Sequence, residues 1–162
     1  MGTSTPISRR ALLAFAGALP LLLSAVAIGQ AETLPLVTVT KDPSCGCCEG
    51  WADHIRAAGF PVKIVESADV DSLKQRLGVP AELASCHTAE MDGYVVEGHV
   101  PAAALRRLLA ERPVATGLAV PGMPAGSPGM DFPGVDPEHY DVVLFGPAGQ
   151  TRFARFLGGR EV

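Results

Sequence analysis

From residue 34 onward, short β-branched runs alternate with amphipathic stretches. Leu34-Pro35-Leu36-Val37-Thr38-Val39-Thr40 reads as a first strand, with its β-branched residues gathered toward the end. Lys41-Asp42-Pro43-Ser44 is a turn. Beyond it, Trp51, Ile55 and Ala58 recur at i, i+4 and i+7, while Glu49, Asp53 and Arg56 lie off that stripe. The spacing predicts a helix from Cys45 or Gly46 through Ala58, stopped by Gly59 at its C′ position. Residues 61–65 alternate as a second strand. A short helix over 68–77 follows, with Ser67 or Asp69 as cap and Gly78 as terminator. Residues 80–85 read as a turn of helix or a loop leading into Cys86-His87-Thr88-Ala89, and residues 93–98 as a third strand. Residues 101–112 form a helix with Leu105, Leu108 and Leu109 as its buried stripe. Pro101 stands near its first turn, where a missing N–H is harmless.

Residues 113–137 change character. Pro121-Gly122-Met123-Pro124-Ala125-Gly126-Ser127-Pro128-Gly129-Met130 propagates neither a helix nor a regular ladder, and the segment is longer than an ordinary connection. Residues 140–145 and 150–156 then flank Gly146-Pro147-Ala148-Gly149 and predict a β-hairpin. Strands alternating with helices imply an α/β class. The expected architecture is a thioredoxin-like sandwich with a C-terminal β-hairpin and a long Pro/Gly/Met loop.

The N-terminal pattern is different. Arg9-Arg10, preceded by Ser8 and followed by Leu12 and Leu13, opens an uncharged run from Ala11 to Ala31. A basic start, an apolar middle and small residues near the end make a secretory signal of the twin-arginine class. Residues 1–31 are therefore expected to be removed, with cleavage after Ala27 or Ala31, and the mature protein to reside in the periplasm. The competing reading is a retained membrane helix, since roughly 20 apolar residues span a bilayer. Pro20 and Gly29 interrupt the run, however, and no positive cluster follows to stop transfer. No stable membrane insertion is expected after cleavage.

Residues 32–162 amount to one domain's worth of chain. They keep all 17 acidic residues and all but Arg9 and Arg10 of the 13 basic ones. This modest acidity, with no basic stripe to track a phosphate backbone, leaves nucleic acid outside the expected partners. No Ser-His-Asp set, paired-carboxylate signature or phosphate loop is present, so no catalytic residue is assigned.

Candidate chemistry lies in the four cysteines, all beyond the signal. Cys45, Cys47 and Cys48 crowd the start of a predicted helix that follows a strand. There, open backbone N–H groups and the helix dipole favour thiolate over thiol. Gly46 removes bulk between the first two. Adjacent Cys47 and Cys48 make a poor disulfide, which argues against a structural framework. Thiolates are soft donors and select copper(I), zinc or iron–sulfur units. Three so close together cannot surround one ion tetrahedrally, and their spacing suits sulfur atoms that bridge several copper(I) ions, with Cys86 closing the site from across the fold. A structural zinc favours the wider Cys-x2-Cys spacing.

Two other readings stand beside this one: buried cysteines acting as small apolar side chains, and a thiol-redox pair of Cys45 and Cys48. His87, His99, Met123 and Met130 are further candidates, as ligands or as side chains supporting ligands. His54 is left out.

These residues also carry a resemblance. Lys41-Asp42-Pro43-Ser44-Cys45-Gly46-Cys47-Cys48 with Trp51, Cys86-His87-Thr88, the run from Gly93 to Pro101, and the Pro-Gly-Met blocks ending at Met123-Pro124 and Met130 follow one another in the order seen in the DUF411 family. These are CopG-like periplasmic proteins linked to copper resistance. The resemblance implies a thioredoxin-like fold and a multicopper, thiolate-bridged site on Cys45, Cys47, Cys48 and Cys86. Copper ions and periplasmic copper-handling proteins are the implied partners. Whether the task is storage, delivery or redox conversion stays open, and a thiol-disulfide or copper oxidoreductase is the alternative function.

Overall fold

The computed structural model describes Met1, Gly2 and residues 33–162. Apart from its first two residues, the export signal read over 1–31 lies outside the described residues. Among these, no helix is long and apolar enough to cross a membrane.

The chain runs β1 (Val37–Lys41), α1 (Gly46–Ala57), β2 (Val62–Glu66), α2 (Val70–Arg76), a 3-10 turn (Ala81–Leu83), β3 (His87–Met91), β4 (Tyr94–Glu97), α3 (Ala102–Glu111), β5 (Gly117–Ala119), β6 (His139–Gly146), β7 (Gly149–Leu157) and β8 (Arg160–Glu161). All eight strands form one open mixed sheet in the order β2-β1-β3-β4-β5-β6-β7-β8. β1 runs parallel to β2, and β4 runs parallel to β5. Every other neighbouring pair is antiparallel.

Three expectations change. The turn of helix expected before Cys86 is the 3-10 turn, but the segment from His87, given no element, is the strand β3, set between β1 and β4. Its side chains are buried on both faces at all positions but Glu90, so it lacks the alternation that marks a half-exposed strand. The turn after it, Asp92-Gly93, has φ of 50° and 83°, a conformation that matches a tight hairpin. The long loop expected over 113–137 is interrupted by β5, only three residues long, which joins β4 to the C-terminal hairpin. Gly117 is required in β5, because a side chain there would collide with the Val95 backbone. Finally, β8 adds a short outer strand after the hairpin.

The sheet has two differently packed faces. On one, Val37, Val39, Ala89, Met91 and Val96 meet Trp51 and Ile55 of α1 and Leu105 and Leu108 of α3 in the main core. On the other, Val95, Ala119 and Phe145 pack with Val79 and Leu83, next to the 3-10 turn. Asp69 caps α2 by accepting from Ser72 N at 3.1 Å, as expected for a short acceptor side chain at a helix start.

Candidate metal centre

β1 ends at Lys41, whose side chain is almost fully buried. Its ammonium donates to Asp42 O at 3.1 Å and lies 3.2 Å from the Glu49 carboxylate. Asp42 in turn accepts from Ser44 N at 2.8 Å, and these Ser44 hydrogen bonds hold its carboxyl below the usual carboxylate range. The loop delivering Cys45 is thus tied at both ends. Cys45 is the N-cap residue of α1 but makes no side-chain capping bond, so its side chain satisfies none of the first-turn N–H groups.

Cys45 and Cys48 are joined by a disulfide, while Cys47 and Cys86 are free. This is the pairing named by the redox reading. Cys47 Sγ lies 3.6 Å from Cys45 Sγ and 3.8 Å from Cys86 Sγ, and Cys48 Sγ lies 3.6 Å from Cys86 Sγ. The four sulfur atoms all fall within 4.8 Å of one another. Residue 86 therefore sits against the other three, although 38 positions separate it from Cys48.

A second group shares Cys86. Its sulfur is 3.1 Å from His99 Nε2 and 3.4 Å from His87 Nδ1. His99 Nδ1 lies 2.8 Å from Pro128 O. A carbonyl only accepts, so Nδ1 carries the proton and the Nε2 lone pair points at the site. His87 is fully buried, its ring centroid 4.5 Å from that of Trp51 with the planes tilted by 42°, and its Nε2 has no hydrogen-bond partner. Burial, aided by His99 and Lys74, pushes the His87 pKa well below its ordinary value, and burial also lowers that of His99. Both imidazoles are thereby kept neutral, the form that ligates metals. Burial and the neighbouring Cys47 push the Cys86 thiol up to about 12.

The Pro/Gly/Met loop lies directly on α1. Gly129 has φ +83°, and a Cβ there would come within 2.5 Å of Cys47 O and 2.6 Å of Trp51 N. Ser85 Oγ donates to Gly122 O at 2.5 Å, and Glu138 accepts from Ala125 N at 2.8 Å. Met130 is half-buried next to Gly129, whereas Met123 is half-exposed and lines an open groove with Pro121, Glu138 and His139. His54 stands apart from the sulfurs, its Nε2 accepting from Ala102 N at 3.1 Å at the start of α3.

Sequence reading missed one buried network. Lys74 Nζ meets Glu97 Oε1 at 2.6 Å, Thr88 Oγ1 donates to Glu97 Oε2 at 2.7 Å, and Ser85 N donates to Glu97 Oε1 at 2.6 Å. The network anchors the residue before Cys86. A lysine on a seven-residue helix with only Val70 and Leu73 as apolar residues carries no local sign that it is buried.

No curated protein matches this chain. The family described as "Protein of unknown function, DUF411" matches residues 83–130. Two solved structures, forms 2 and 1 of a copper resistance protein copG, are each 44% identical, with a TM-score of 0.71. They cover 76% and 77% of this chain, and 98% and 99% of their own. Such identity, over nearly the whole of the solved proteins and through the Cys86–Met130 block, makes this chain a member of the DUF411 family of CopG-like copper-resistance proteins.

Proposed function

We propose that this chain handles copper in the periplasm, its reduced form gathering several copper(I) ions in a thiolate-bridged cluster on Cys45, Cys47, Cys48 and Cys86 and so contributing to copper resistance. The observation that carries the reading is the convergence of four sulfur atoms, from α1 and the approach to β3, within 4.8 Å. Soft, closely spaced donors suit copper(I), which accepts bridged, low-coordinate thiolate ligation. His99 Nε2 and His87 Nδ1, 3.1 and 3.4 Å from Cys86 Sγ, supply nitrogen at the rim. Met123 and Met130 offer thioethers on the overlying loop. Binding releases thiol protons, so copper affinity rises with pH.

The export reading supports the same picture. The twin-arginine run at 9–10 and the uncharged segment to Ala31 direct a folded chain to the periplasm, where residues 32–162 act after cleavage. The order β2-β1-β3-β4, with cysteines at the start of the helix after β1, supports a thioredoxin-like core extended by β5–β8.

Anaerobic titration of the reduced chain with copper(I), read by native mass spectrometry, tests the proposal. More than one copper per chain is expected; a single ion, or a preference for one zinc, defeats it. The disulfide between Cys45 and Cys48 favours a second reading, thiol–disulfide oxidoreductase. Turnover of a disulfide substrate that survives both Cys45→Ser and Cys48→Ser would remove it.

A further inference from the structure

Resting on the copper reading above, we infer that the Cys45–Cys48 disulfide is a two-electron gate on the centre: the reduced chain holds a multinuclear copper(I) cluster, and the oxidised chain keeps a smaller, single-ion site made by Cys86, which the cluster also uses, with His87 and His99. The bond occupies Cys45 and Cys48 and leaves Cys47 and Cys86 as the thiols. A disulfide sulfur has no thiolate charge to share between ions. Half of the bridging sulfurs are withdrawn, and the remaining two, 3.8 Å apart, cannot enclose several coppers.

The Cys86, His87 and His99 group has no member in the disulfide, and its donor atoms lie within 4.8 Å of one another. The sulfur-to-nitrogen separations are 3.1 and 3.4 Å. An ion held at about 2.3 Å from sulfur and about 2.0 Å from nitrogen leaves those donors roughly 3.5 Å apart in tetrahedral geometry. For these two sulfur–nitrogen pairs the match requires shifts of only a few tenths of an ångström. His99 is aimed by Pro128 O on the overlying loop, and His87 is buried with its Nδ1 toward Cys86 Sγ. One thiolate and two imidazoles suit a single soft or borderline ion and lack the bridging atoms a cluster needs.

Closing the gate joins Cys45 Sγ to Cys48 Sγ, and the two thiol protons and two electrons pass to an external disulfide, which becomes two thiols. Opening reverses this, with a dithiol as donor. Cys45 is partly exposed while Cys48 is fully buried, so an incoming thiolate attacks Cys45 Sγ and Cys48 leaves as thiolate. Cys48 Sγ lies 3.6 Å from Cys86 Sγ, so the freed thiolate emerges within the centre.

The experiment loads two forms of the chain with copper(I) under anaerobic conditions, one reduced with dithiothreitol and one oxidised with excess oxidised glutathione, each freed of reagent before loading. Denatured samples titrated with a thiol reagent should show four thiols and two thiols respectively. Native mass spectrometry should then find several coppers on the reduced form and one on the oxidised form. His99→Ala should abolish the single copper of the oxidised form yet leave more than one on the reduced form. A Cys45→Ser/Cys48→Ser chain, folded by circular dichroism, should hold one copper whatever the redox treatment. An oxidised form that binds no copper, or as many as the reduced form, overturns the gate and leaves the cluster standing. A reduced form limited to one copper overturns the cluster, while the single-ion site is judged by the oxidised form alone.

Discussion

Two buried polar clusters occupy opposite faces of the same strand ends. On one face, Glu97 receives Lys74, Thr88 and Ser85 N, and its hydrogen-bonding capacity is met from within the chain. On the other, His87 keeps Nε2 unpartnered, and Cys47, Cys86 and His99 meet mainly one another. The difference teaches how to tell support from function. Satisfied buried charge is scaffolding, since any ligand would have to break it. Thiols and neutral imidazoles that meet mainly one another keep lone pairs that a metal ion can take. The clusters are neighbours along the chain, joined through Ser85-Cys86-His87-Thr88.

Glu97→Gln attacks the satisfied cluster and should have the largest effect. Leaving Lys74 buried without its counter-charge costs about 3–5 kcal/mol, read by chemical denaturation. The copper count of the chain that remains folded should not change, and a lowered count would merge the two clusters into one functional unit. Cys86→Ser attacks the other cluster. It should weaken copper(I) binding by at least about 100-fold, beyond the loss typical of a residue that merely supports a ligand, with stability near that of the parent. Competition with a copper(I) chelator measures it, and an unchanged affinity would place the centre elsewhere.

Gly129→Ala tests whether the loop belongs to the centre. The positive φ and the approach to Cys47 O and Trp51 N make even a methyl group strained. The expected cost is about 1–3 kcal/mol, accompanied by weaker copper binding as Pro128 shifts from His99. Normal copper affinity in this variant would detach the loop from the site.

The smallest effect is that of pH on the metal-free chain. Burial holds His87 below its ordinary value of 6.5, so on acidification the unfolded chain takes up the proton first. Stability is full above that value and falls as pH drops toward the folded-state pKa, by at most about 1.4 kcal/mol per pH unit. Denaturation at pH 7.5 and 5.5 should show the loss, and His87→Gln should reduce it.

Much of the fold was legible where one face of an element is wet. α1, α3, β2 and the β6–β7 hairpin carry clear periodicity or turn signals, and the observed ends fall within two residues of those expected. β3 and β5 were not legible. β3 is covered on both faces, and β5 is too short to repeat a pattern. The Asp92-Gly93 pair was the available sign of the β3–β4 hairpin.

What the sequence determined by itself was the chemistry: soft donors crowded at a helix start, a cysteine and histidines downstream, and a segment of prolines, glycines and methionines that resists regular structure. Residue type and local spacing suffice for that, because softness, helix-end electrostatics and backbone freedom are local properties. The tertiary structure alone decided that Cys86 reaches the other sulfurs, that Pro128 orients His99, and that Lys74 is buried against Glu97. Each of these contacts spans 23 to 38 positions, and such contacts depend on strand order and on which face each side chain takes, quantities that arise only when the sheet closes around its core.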